Sequence, residues 1–60
     1  MNGLELYARA MQIVKQYPES ANEAVRFQEM CDLLQRDFPS VPDKKIQAII
    51  IGFDERKGLF

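Results

Sequence analysis

Two aromatic–proline pairs, Tyr17-Pro18 and Phe38-Pro39, cut this chain into three pieces of helical length. That punctuation constrains the fold more than any other feature. A proline ring disfavours helical geometry in the residue before it, so a helix running into either pair stops there. The second and third pieces also carry start signals. Ser20-Ala21-Asn22-Glu23 reads as a capping box, in which the Ser20 hydroxyl accepts from the Glu23 amide and the Glu23 carboxylate reaches back to Ser20. Ser40-Val41-Pro42-Asp43 repeats the idea: Ser40 caps, Pro42 is tolerated in the first turn, and Asp43 sits at the positive end of the helix dipole. The expectation is an all-α, three-helix bundle with helices at 4–17, 21–38 and 41–57, forming one domain over 1–60.

The apolar spacing supports this. In the first segment Leu4, Tyr7, Met11 and Val14 form one ridge and Leu6, Ala10, Ile13 and Tyr17 an adjoining one. Together they cover about half the circumference at ~100° per residue, wide enough to touch two neighbours. The second stripe runs Ala24, Phe27, Cys31, Leu34 and Phe38 with Met30 beside it, leaving Arg26–Glu29 and Asp32–Arg36 to pair weakly on the far side. The third runs Ile46, Ile49, Ile50 and Phe53. Arg56 and Lys57 suit its C-terminus, and Gly58 suits a left-handed cap. Ile49-Ile50-Ile51 would also fit a short buried strand, but a lone strand has no second strand to pair with.

Size and composition exclude much chemistry. A chain of 60 residues buries only about 60% of its unfolded surface, so small domains commonly lean on disulfides or metals. Cys31 is the one cysteine and histidine is absent, which removes an internal disulfide and a Cys/His zinc site. A single unpaired thiol points to a reducing, cytoplasmic setting. No signal peptide is visible, and the longest apolar run, Ala48 to Ile51, is far short of a membrane span. Cys31 falls on a core stripe, Ser20 and Ser40 act as caps, and no phosphate loop or metal spacing occurs. The reading is therefore no enzyme, no cofactor and no metal.

What remains is binding. Val25 and Leu33 lie off the core stripe of the second helix, with Glu29 and Arg36 on the same face. Ile51 points away from Ile46, Ile50 and Phe53, and Leu59-Phe60 close the chain as an apolar pair. Single exposed apolar residues are common, but this many on so small a surface favours a contact patch. The expected function is a small regulator, inhibitor or adaptor that binds a protein partner through Val25, Glu29, Leu33, Arg36, Ile51, Leu59 and Phe60, with self-association as a further option.

Two alternatives stand beside it. The short turn around Pro39-Ser40-Val41 fits a helix-turn-helix, in which the third helix would present Lys44, Lys45, Gln47, Arg56 and Lys57 to nucleic acid. Against this, a net charge of −1 gives little attraction to phosphates, the turn lacks a glycine, and Asp54 shares the outward face. The stretch from Leu33 to Pro42 also resembles the start of ubiquitin-binding CUE domains through Phe38-Pro39. That family has methionine where Asp37 stands here, and a third helix with a dileucine for which no sequence remains. The resemblance implies ubiquitin binding but carries over no site residues.

Overall fold

The proline stops act as the sequence predicts. In the computed structural model, which describes residues 3–18 and 22–59, α1 runs Gly3–Gln16, α2 Glu23–Asp37 and α3 Asp43–Glu55, followed by a 3-10 turn at Lys57–Leu59. The Tyr17 amide still bonds the Ile13 carbonyl at 2.9 Å and the Phe38 amide the Leu34 carbonyl at 3.0 Å, so each helix ends on its aromatic just before proline. Each helix packs against both others, giving an all-α three-helix bundle of 33 × 23 × 16 Å. The isoleucine run is helical: Ile49 and Ile50 are buried, and the described residues contain no strand.

The helix starts differ from the sequence expectation. α2 begins at Glu23 rather than 21, with Asn22 as its cap, whose Oδ1 accepts from the Val25 amide at 3.1 Å. Asparagine caps as well as serine does, and here it takes the extended backbone a cap needs (φ −105°, ψ 95°). Ser20, the expected cap, lies outside the described residues. α3 begins at Asp43 rather than 41, and Pro42 precedes it with no side-chain cap. The Pro42 carbonyl accepts from the Lys45 and Ile46 amides at 3.0 and 3.1 Å. Ser40 is therefore not the cap, because the chain ahead of Pro42 turns inward to bury Val41. At the far end α3 stops at Glu55, so Arg56 and Lys57 lie beyond its last turn. Gly58 has no positive φ and sits in the 3-10 turn, closed by the Leu59 amide on the Arg56 carbonyl at 2.8 Å.

The core is Leu6, Ala10, Ile13 and Val14 from α1, Met30, Cys31 and Leu34 from α2, Val41 from the turn, and Ile46, Ile49 and Ile50 from α3. Tyr17, Phe27, Leu33, Phe38 and Phe53 pack around it, half-buried. One α1 ridge is consumed in full and the other only at its C-terminal end, where Val14 is buried. Leu4 is 76% exposed and Tyr7 46%, so an apolar flank of α1 finds no full cover inside the bundle. Ala24, expected in the α2 stripe, is exposed.

Its place is taken by Arg26, a residue the pattern assigns to solvent. Arg26 is buried; its Nε donates to the Pro18 carbonyl at 3.2 Å and a terminal nitrogen to Asp54 Oδ1 at 2.9 Å. A buried guanidinium is tolerable only when its donors are met. These two bonds tie the chain after α1 and the end of α3 to α2. Gln35 plays a lesser version of the role, its amide nitrogen donating to the Phe38 and Val41 carbonyls at 3.1 and 2.8 Å across the α2–α3 turn.

Candidate functional site

The surplus flank of α1 borders a groove against α3. Tyr7, Lys45, Ala48, Ile49, Gly52, Phe53 and Arg56 line an open, mainly apolar trough of ≈ 340 Å³. Helical spacing places Lys45, Ala48, Ile49 and Gly52 on the side of α3 that faces away from α2, and Arg56 follows just past the helix end. Tyr7 faces Phe53 edge-on, with ring centroids 6.3 Å apart at 61°, and the pair walls the trough where the two helices meet. Leu4, one turn before Tyr7, continues the apolar surface along α1.

Its floor is unusually open. Gly52 lies inside α3 with an ordinary helical φ, and a Cβ built there would meet nothing within 4 Å. Neither backbone conformation nor internal packing requires glycine, although a mid-helix glycine costs roughly 1 kcal/mol relative to alanine. The space left by the missing side chain belongs to the groove.

The charges at the groove are of one sign. Among the described residues Lys45 and Arg56 line it, no carboxylate does, and neither side chain forms an ion pair or hydrogen bond. Three cations outside the groove are engaged: Arg9 meets Asp37 at 2.6 Å, and Arg26 and Lys57 both reach Asp54, at 2.9 and 3.9 Å.

The protein-contact residues expected from sequence do not form one surface. Val25 is half exposed, and Glu29 and Arg36 are exposed beside it on α2. Leu33 is not a free surface residue; it is half-buried against the core. With Tyr17 and Asp32, the trio of Glu29, Leu33 and Arg36 lines a mostly polar depression. Within it Glu29 already accepts from the Tyr17 hydroxyl at 2.6 Å. That hydrogen bond, then desolvation and the Glu29 charge, raises the Tyr17 pKa above the ordinary phenol value. Ile51 is 46% exposed on the outer side of α3, away from the groove, and Leu59 is 85% exposed in the 3-10 turn. Phe60 lies outside the described residues.

The nucleic-acid set is likewise divided. Lys44 is exposed, Lys45 and Arg56 border the α1/α3 groove, and Gln47 shares a depression with Asp32 and Asp43 on the α2 side. Lys57 is half-buried and lies near Asp54. The Phe38-Pro39 pair is accounted for by packing and helix termination, with Asp37 held by Arg9.

Cys31 is buried, as its place on the stripe implies. Burial, joined by the charges of Asp32 and Asp43, pushes its pKa from 9.0 up to about 11, so the thiolate is scarce at neutral pH. Among the described residues no group of three or more His, Cys, Asp or Glu side chains is placed to hold a metal, and no helix is long and apolar enough to cross a membrane. No protein-family model, curated protein or solved structure matches this chain.

The sequence reading missed the groove because it assigned Tyr7 and Phe53 to the core and counted only apolar residues off the stripes. Two signals pointed to it: an apolar face on α1 wider than one neighbour can cover, and a glycine inside a helical pattern with no turn to make.

Proposed function

We propose that this chain is a small, non-enzymatic protein-interaction module, a regulator, inhibitor or adaptor, whose docking surface is the α1/α3 groove. The observation that carries the reading is the uncovered apolar flank of α1, Leu4 and Tyr7, continuous with an open trough on α3. A domain of this size has little apolar surface to spare, so leaving it uncovered favours a partner that covers it. The buried, protonated Cys31 supports a non-catalytic role, and an unpaired thiol fits a reducing compartment. The Val25–Glu29–Leu33–Arg36 face is the weaker candidate, since Leu33 serves the core and Glu29 is bonded to Tyr17.

Site-specific photo-crosslinking in cells tests the assignment. A photoreactive side chain at Ala48 should give a discrete adduct with another protein, while the same group at Val25 or Ile51 should not. Adducts at Val25 alone would return the site to α2, adducts with nucleic acid at Lys44 would favour the helix-turn-helix alternative, and no adduct at Ala48 would refute the groove.

A further inference from the structure

We propose that the groove's occupant is an acidic amphipathic helix of a partner protein, its apolar stripe seated against Tyr7, Ala48 and Phe53 and its carboxylates meeting Lys45 and Arg56. This rests on the reading of the groove as a protein-docking surface. The first argument is charge. On a chain of net charge −1, the groove offers, among the described residues, two cations without side-chain partners and no anion. Charge arranged this way selects an anionic partner and disfavours a cationic or neutral one.

The second argument is shape. Lys45 stands in the first turn of α3 and Arg56 just past its last residue, eleven residues on in sequence, with the apolar floor between them. An open, mainly apolar trough between two cations, walled by an aromatic pair, matches an amphipathic helix laid in a groove. A nucleic-acid backbone would supply the charge but nothing for the apolar floor. A second copy docked about a two-fold axis through the groove would set its Lys45 and Arg56 against like charges. A flat anionic membrane finds little to hold it in two groove cations on a chain of net charge −1.

The test uses the full chain and a fluorescein-labelled model helix with a leucine stripe and two glutamates spaced to match Lys45 and Arg56. Fluorescence anisotropy should show saturable binding that weakens as salt rises. The double variant Lys45→Glu/Arg56→Glu should bind at least about tenfold more weakly, and a peptide with lysines in place of the glutamates should restore affinity to that variant. Gly52→Leu should abolish binding while circular dichroism stays native and melting holds or rises. Equal affinity of native protein and double variant, or no saturable binding, overturns the proposal. So does binding to phosphatidylglycerol vesicles but not to the peptide, or a concentration-dependent dimer in sedimentation that the peptide does not disperse. If the Ala48 protein adduct forms but the peptide fails, the acidic-helix assignment falls and the docking surface stands. If the adduct is missing as well, both fall.

Discussion

Removing Arg26 probes the tie that the periodicity of the sequence hides. Its side chain is 5% exposed and holds two acceptors, the Pro18 carbonyl and Asp54, from segments on either side of α2. Arg26→Ala loses both bonds and the packing of the aliphatic stem, and relieves the desolvation of the guanidinium. Asp54 is 34% exposed, so its bond is discounted for solvent screening to about 1 kcal/mol. The carbonyl bond adds about 1 kcal/mol. The stem adds about 2 kcal/mol at ~0.8 kcal/mol per methylene. Offsetting desolvation relief, the net loss is about 2–3 kcal/mol, a large part of the total of about 3–9 kcal/mol expected for a chain this long. The melting temperature should fall by roughly 8–24 °C.

The variants that remove one charge separate a tie from a bystander. Asp54→Asn strands a buried cation and should cost about 1–2 kcal/mol, whereas Arg26→Met removes the charge with its demand and should stay within about 1 kcal/mol of the native chain. Urea unfolding followed by circular dichroism measures all three. If Arg26→Ala lies within about 0.5 kcal/mol of native and Asp54→Asn has no effect, the side chain is a solvated arginine and the argument is wrong.

Other consequences are read on the same instruments. Gly52→Ala should stabilise by about 0.5–1 kcal/mol, since its φ is not positive and a Cβ has room; a loss would show the glycine is structurally required. Val25→Ser should leave stability within about 0.5 kcal/mol, while Leu33→Ser, which strips a core contact, should cost about 1–2 kcal/mol; equal effects would contradict their different burial. The raised Cys31 pKa makes the folded state hold its proton more tightly than the unfolded chain. Its contribution to stability is therefore intact below pH 9 and is lost as pH rises from 9.0 toward about 11. Melting against pH should decline over that interval, and Cys31→Ala should flatten the decline; an unchanged slope would assign it to other groups.

The architecture was legible because its signals are local. Proline stops, first-turn acids and 3.6-residue apolar spacing each act within one helix, and they place α1, α2 and α3 to within two residues at every end. What was hidden depends on distance. Arg26 reads as solvent-facing because its acceptors stand 8 and 28 residues away in sequence, at Pro18 and Asp54. The wide apolar face of α1 shows that two surfaces exist, not which one the bundle covers. Whether Asn22 or Ser20 caps α2 turns on competition between similar caps only residues apart. Of the candidate site, Lys45 and Arg56 were singled out, but for nucleic acid, and Tyr7 and Phe53 were read as core. Only the packing of α1 on α3 turns those four into the walls and rim of one groove.

Filling that groove is the most direct trial of its role. With a photoreactive side chain at Ala48, Gly52→Leu should remove the protein adduct while the melting temperature holds or rises, because the new side chain enters open space. An adduct that persists undiminished in the Gly52→Leu variant would contradict docking in the groove.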